Sequence, residues 1–475
     1  MTPARKTLHY LTGSQHLYGE DTLRQVATNS RQIAASLNAE SSIPADVVWK
    51  PVLTRPEEVF AALRTAELDD DCIGVICHMH TFSPAKMWIR GLQTLRKPLC
   101  HLHTQFHRDL PYGSIDMDYM NLHQSAHGDR EFGHICTRLG IRRKVIVGHF
   151  AGPQVKSQLA TWTRAALGRA AEQTMKVARF GDNMRHVAVT EGDKVAAQIT
   201  FGYATDGYGV GDLVERIAAV EEARVRELVE EYEASYTLDA NVQPGGDRRS
   251  HLLTSARNEL GIGDFLREGG YTAFTDTFED LHGLPQLPGL AVQRLMQRGY
   301  GFGAEGDWKT AALVRTMKVM AGGLPGGNSF MEDYTYDFHP DRQAVLGAHM
   351  LEICPSIAAD RPRIACHPLG IGGKADPCRL VFTGGAGPAL NASIVDLGDR
   401  FRLLLNEVTA ITPPAPTPQL PVASVLWRPH PDMQRGIAAW IQAGGAHHTC
   451  YSQNLTAAHL QDYAELVGVE CVTIR

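Results

Sequence analysis

Between Leu8 and His149 short apolar runs alternate with helical patterns, and that alternation leaves few folds open. Leu8–Thr12, Ala45–Val52, Cys72–His78, Leu99–His103 and Lys144–His149 read as strands. Helical periodicity runs from Asp21 to Asn38, where Leu23, Val26, Ile33, Ala34 and Leu37 lie close to one stripe, and again over Pro56–Leu68. Strands separated by helices require crossovers, and crossovers build a parallel sheet. Ligands of such sheets sit beyond the carboxyl ends of the strands. Gln15, Phe82 and Thr104-Gln105 fall at those ends.

From Met175 the texture changes. Lys176–Phe180 reads as a strand. His186–Thr190 and Val195–Tyr203, joined by Glu191-Gly192-Asp193-Lys194, predict a hairpin. Val210–Ser235 reads as one long charged helix, His251–Glu268 as another, and Ala273–Phe278 as a strand. Leu290–Arg298 and Trp308–Met320 are helical. The glycine-rich stretch Ala321–Gly327 marks a boundary. Beyond it, short strand-like runs alternate with Gly and Pro turns, and Thr412–Pro418 is a stiff, extended loop. The expected architecture is α/β: two doubly wound, Rossmann- or flavodoxin-like domains over 1–175 and 176–325, then a mostly β, barrel-like domain over 326–475.

Composition removes whole classes of function. With 44% hydrophobic and 21% charged residues, neither disorder nor a membrane protein is favoured. The net charge is −6 and no long basic run occurs, which argues against nucleic acid. Met1–Gly13 lacks the apolar stretch of a signal peptide, and no apolar run is long enough to span a bilayer, so a cytoplasmic location is expected. The nine cysteines are scattered without a CxxC and read as reduced thiols of the core.

Chemistry concentrates between Gly301 and Met350. Gly301-Phe302-Gly303-Ala304-Glu305-Gly306 matches GxGxxG, but a helical pattern precedes it where a dinucleotide site needs a strand. The glycines are expected to turn the backbone sharply and expose Glu305. Gly370–Lys374 fails as a phosphate loop because no Ser or Thr follows the lysine. Glu332 lies in a strand-like run with Asp333 facing the other way, His349 lies in Val345–Met350, and His447-His448 follow a glycine turn. Taken singly, each is an ordinary surface carboxylate or core imidazole. Two Glu and two His without Cys, if they converge, suit Mn²⁺, Co²⁺ or Mg²⁺ better than structural zinc. Such an ion can bind neighbouring sugar oxygens while carboxylates move protons, the parts that aldose–ketose isomerisation needs.

Several stretches together resemble the bacterial L-arabinose isomerase family over nearly the whole chain. They are Gly13–Gly19 (GSQHLYG), His80–Trp88, Asn121–Gly133 (NLHQSAHGDREFG), Arg179–Arg185, Phe278–Gly301, Ala304–Thr310, Phe330–Tyr336, His367–Lys374 and Ala443–Thr449. The resemblance implies that Glu305, Glu332, His349 and His448 hold one Mn²⁺-type ion, with Co²⁺ or Mg²⁺ as alternatives. It implies that Glu305 and Glu332 shuttle protons between C1/C2 and O1/O2 of the sugar through a cis-enediol. It maps substrate contacts onto Gln15, Phe82, Met184, Phe278, Tyr334, Ile371 and His447. Gln124 and His127 match residues that reach the site from a neighbouring subunit of a homohexamer built from trimers. Family chains also continue past the position of Arg475. Two other functions stay open: a ketol isomerase for L-fucose- or D-galactose-type sugars, and a noncatalytic sugar-binding protein.

Overall fold

The structure, a computed structural model, describes residues 5–475. Residues 1–4, within the Met1–Gly13 stretch expected to lack a targeting signal, lie outside the described residues. Two compact units are present. The first runs to Ala170 and includes Gln461–Gly468, and the second holds Ala171–Leu460 with Val469–Arg475. Among the described residues no helix is long and apolar enough to cross a membrane.

In the first unit β1 (Thr7–Gly13), β2 (Asp46–Trp49), β3 (Cys72–Met79), β4 (Leu99–His103) and β5 (Lys144–Val147) form a parallel sheet in the order β2-β1-β3-β4-β5. That is the flavodoxin-like order. Alternate residues serve opposite faces. Leu8, Tyr10 and Ile76 join one apolar cluster with Ile33, Leu37 and Trp162, while Leu11, Val75 and Cys77 join another with Leu63, Trp88 and Phe132. Burial on both faces explains why every residue of β3 is buried and why the strand reads as a continuous apolar run.

This unit also encloses a histidine cluster. Asp129, on the Ser125–Arg138 helix, is buried and accepts hydrogen bonds from His101 Nε2 at 2.9 Å, His103 Nδ1 at 2.7 Å and the Met79 N–H at 3.0 Å. Burial pushes its carboxyl up, but these donors outweigh burial and hold it well below the carboxylate range. Burial and then neighbouring imidazoles hold His80 down at about 3, and burial with His107 holds His123 at about 4. Both therefore stay neutral in the fold while titrating near about 6.5 in the unfolded chain. Below that pH the unfolded chain takes up protons that the fold refuses, so stability falls as pH drops toward the folded values. His103, raised chiefly by its bond to Asp129, acts in the opposite sense and loses its contribution as pH rises. His80 and His123 are expected to contribute a loss of stability between about pH 7 and about pH 5, roughly 1–2 kcal/mol each, which urea unfolding reads. The slope should shrink in His123→Phe; a slope unchanged by that substitution would remove His123 from this account.

The second unit contains two larger sheets and a small one. Its strands are β6 (Lys176–Phe180), β7 (Ala204–Tyr208), β8 (Thr237–Leu238), β9 (Ala273–Asp276), β10 (Gly301–Ala304), β11 (Asn328–Asp337), β12 (Ala344–Ala348), β13 (Arg363–Cys366), β14 (Cys378–Val381), β15 (Gly387–Asp396), β16 (Phe401–Ile411), β17 (Ser424–Pro429), β18 (His448–Ser452) and β19 (Glu470–Ile474). A parallel sheet runs β10-β9-β6-β7, and a small sheet runs β14-β13-β8. The largest follows β15-β18-β11-β12-β17-β16, and β15 then pairs with β16 along its length. That last pairing closes a six-stranded antiparallel barrel and leaves no open edge in the ring. β19 adds to β16 in parallel. Met331, Val345, Val408, Trp427 and Tyr451 are buried in one cluster.

Three local expectations are corrected. The hairpin over His186–Tyr203 is absent: Ala188–Thr190 is a short 3₁₀ turn and Lys194–Phe201 is a helix. Asp193 caps that helix by accepting from the Val195 and Ala196 N–H groups, and Gly202 ends it at φ +98°. The capping signal outweighs the β-branched residues that suggested a strand. The long run Val210–Ser235 is two helices, Val210–Ala218 and Glu222–Ser235. Gly301 and Gly303 do not make the sharp turn; they lie within β10. A Cβ there would come 2.1 Å from Ala311 O and 2.3 Å from Asp307 O, so the missing side chains let the Trp308–Met320 helix lie against the strand.

Candidate active site

The turn lies one step further on, at Glu305 itself. It follows β10 with φ +61°, a left-handed conformation rare outside glycine, and Gly306 continues it at φ +79°. Backbone bonds hold the turn: Met184 N–H donates to Glu305 O at 3.0 Å and Gly306 N–H to Asp276 O at 3.0 Å. The Glu305 side chain is only 13% exposed, in contrast to the exposed carboxylate expected from the glycines.

Strand register supplies the other groups. Glu332 on β11 stands opposite His448 on β18 along one edge and opposite Ala348 on β12 along the other. His349 directly follows β12. Directly paired residues share a face, so a one-residue slip against β18 would turn Glu332 away from His448. Phe330, two residues earlier on the same strand, packs its buried ring 5.0 Å from each of the His349 and His448 rings.

Among the described residues, Glu305, His349 and His448 converge, each offering one ligand atom within 4.8 Å of the others. Glu332 stands outside that tight group, with Oε2 3.8 Å from His349 Nε2. His447 Nε2 lies 3.8 Å from Glu305 Oε2, and its ring is 4.3 Å from that of His448. Met184 is tied to Glu305 through its backbone, as above. Phe278 lies just past β9, while Tyr334 and Ile371 are 52% and 40% exposed. Gln15, Phe82, Gln124 and His127 belong to the first unit. There Phe82 meets His127 edge-on at 6.0 Å, and Tyr18 Oη donates to Gln124 Oε1 at 3.0 Å.

Two acids that the sequence did not single out complete the centre. Asp307 Oδ2 accepts from His448 Nδ1 at 3.1 Å, and Glu352 accepts from His349 Nδ1. A carboxylate only accepts, so both Nδ1 atoms carry a hydrogen, and in the neutral ring it is Nε2 that holds the lone pair. His448 Nε2 is buried without a hydrogen-bond partner. A carboxylate behind each imidazole is the arrangement that orients and enriches metal-ligating histidines. Weak signals were present: Asp307 precedes a helix as its N-cap, and Glu352 lies one helical-type step after His349.

The electrostatics are those of a site rich in negative charge. Burial pushes Glu305 up, yet His447, His448 and His349 outweigh it and hold its carboxyl below the ordinary range. Burial pulls His349 down, but Glu352, Glu332 and Glu305 raise it overall. Contact with Glu305 raises His447. Burial and the nearby Glu352 carboxylate push Asp276 up to about 7. Lys309 is the buried cation beside Asp307, at 3.6 Å. A divalent ion fits this chemistry: mixed O/N donors and an imidazole nitrogen without a hydrogen-bond partner.

Three family models match in succession: the L-arabinose isomerase N-terminal domain over residues 2–174, central domain over 176–323 and C-terminal domain over 327–470. The L-arabinose isomerase of Anoxybacillus flavithermus is 60% identical over 98% of this chain and 93% of that protein. That of Geobacillus stearothermophilus is 59% identical, and that of Koribacter versatilis 60%, each with the same coverage.

Proposed function

The chain belongs to the L-arabinose isomerase family, and from that premise we propose that it converts L-arabinose to L-ribulose with a divalent ion of the Mn²⁺ type. The observation that carries this reading is the convergence of Glu305, His349 and His448 with Glu332 beside His349. Glu305, Glu332, His349 and His448 would hold the ion. When bound, it supplies Lewis acidity to adjacent hydroxyl and carbonyl oxygens of the sugar.

The remaining chemistry belongs to side chains. Glu305 and Glu332 provide two carboxylates for general acid–base work. One takes the proton from C2 and returns it to C1, while the other moves a proton between O1 and O2, so the sugar passes through a cis-enediol without net loss of atoms. His447, in contact with Glu305 and 38% exposed, is placed to donate to a sugar oxygen. Asp307 and Glu352 fix the two imidazoles. A cytoplasmic location rests on the absence of a signal-peptide pattern and of an apolar spanning run in the sequence; a homohexamer, with Gln124 and His127 serving a neighbouring subunit, rests on the family resemblance, and light scattering tests the assembly.

The test is ketose formation from L-arabinose by chelator-treated protein, with and without added Mn²⁺. Restoration of turnover by the ion is expected. Metal binding without turnover on L-arabinose, but with turnover on L-fucose or D-galactose, would move the substrate. Failure to bind metal would remove the proposed centre.

A further inference from the structure

The small sheet β14-β13-β8 carries a pair of thiols that the isomerase chemistry does not use. Cys366 ends β13 and Cys378 begins β14, and the two stand directly opposite in antiparallel register. Such partners have Cα atoms about 4.5–5.5 Å apart, inside the about 4.4–6.8 Å that a disulfide spans. Their side chains leave the same face of the sheet. Both belong to one buried cluster, at 1% and 0% exposure. In the strand registers of the described residues, no other two of the nine cysteines are paired opposite each other.

The surroundings make the two thiols unequal. Cys366 Sγ donates to the Asp376 carbonyl at 3.3 Å and lies 3.7 Å from His251 Nδ1. That nitrogen bonds the same carbonyl at 2.8 Å, so it carries a hydrogen and can turn it toward a thiolate. The Cys378 contact, with help from His251, holds Cys366 below the ordinary thiol range, and the same contact pushes Cys378 up. An attacking thiol with a second thiol beside it is the arrangement of a redox-responsive pair. Access comes from the connecting segment, residues 367–377. Pro368, Gly370, Ile371, Gly372, Gly373 and Ala375 are exposed in it, so Cys366 is separated from solvent by the first residues of a surface loop.

We propose that Cys366 and Cys378 form a reversible disulfide, made by exchange with a small-molecule disulfide, which ties the base of the 367–377 loop. Cys366 loses its proton to solvent and attacks one sulfur of the small disulfide. A mixed disulfide forms and one thiolate leaves. Cys378, deprotonated in turn, attacks the Cys366 sulfur and releases the second thiolate. The protein loses two protons and two electrons, and the small disulfide is reduced to two thiols. The loop carries Ile371, so oxidation should change the KM for L-arabinose; this consequence alone rests on the isomerase reading.

The experiment incubates the native chain with oxidised glutathione, quenches in acid, denatures, alkylates and counts labels by mass. Alkylatable thiols are expected to fall from nine to seven, nine less the two in the bond, with Cys366 and Cys378 in one cross-linked peptide pair. Dithiothreitol should restore all nine. Cys378→Ser should trap glutathione on Cys366, and Cys366→Ser should show neither product. Nine alkylatable thiols after oxidation, or a bond mapped to another pair, overturns the proposal. The wild-type map decides the question even where a variant fails to fold. A correct bond with unchanged KM overturns only the link to substrate binding.

Discussion

Glu305→Gln is expected to lower turnover of L-arabinose by about 10²–10⁴-fold while the fold survives. Glutamine matches glutamate in size, so the turn at φ +61° and the backbone bond from Met184 are unaffected. What disappears is the charge facing three imidazoles and the capacity to accept a proton. The substitution separates enzyme from binding protein, because a binder has no turnover to lose and should keep its affinity for sugar. Initial rates with saturating Mn²⁺, beside a circular dichroism spectrum, measure the effect. A rate within tenfold of the parent would deny Glu305 its acid–base role.

Asp307→Asn should injure both function and stability. Asp307 is buried between His448, Thr310 and Lys309, and accepts from Thr310 Oγ1 at 2.7 Å. Burial pushes its carboxyl up, but Lys309 and then His448 hold it well below the ordinary range. Neutralising it leaves the Lys309 ammonium, 1% exposed, facing the carbonyls of Val189, Thr190 and Glu191 and the Trp308 ring, without a carboxylate partner among the described residues. Removing one partner of a buried pair costs about 3–5 kcal/mol. Loss of a carboxylate behind a metal-ligating histidine weakens metal binding about 10–100-fold. Urea unfolding and calorimetric titration with Mn²⁺ read the two effects separately. Unchanged metal affinity in a folded variant would show that Asp307 serves the core and not the site.

The parallel sheet of the first unit was legible because burial on both faces leaves uninterrupted apolar strands such as Cys72–Met79. The barrel was legible in outline from short runs and turns, but its closure was not, since the pairing of β15 with β16 leaves no mark beyond strand length. Glu305, Glu332, His349 and the His447-His448 pair could be listed as candidates from the sequence, but their convergence and the choice of His448 over His447 rested on family resemblance. Glu332 and His448 meet through register across distant strands, and neither has a local pattern that distinguishes it from a bland neighbour. Asp307 looks like a helix cap because it is one; its second task, holding His448, depends on tertiary contact. The false hairpin has the opposite origin, local β-propensity overruled by Asp193 and Gly202.

Glu305 comes from the rim of the parallel sheet, whereas Glu332, His349 and His448 come from the closed barrel. A shared ion would therefore rivet one layer to the other, and its binding free energy would become part of the cohesion of the second unit. At an ion concentration about 100 times the dissociation constant, that linkage contributes roughly 2.7 kcal/mol. Heat tolerance would then be a setting governed by ambient metal rather than a constant of the polypeptide, and starvation for the ion would loosen the protein before any bond in it had changed.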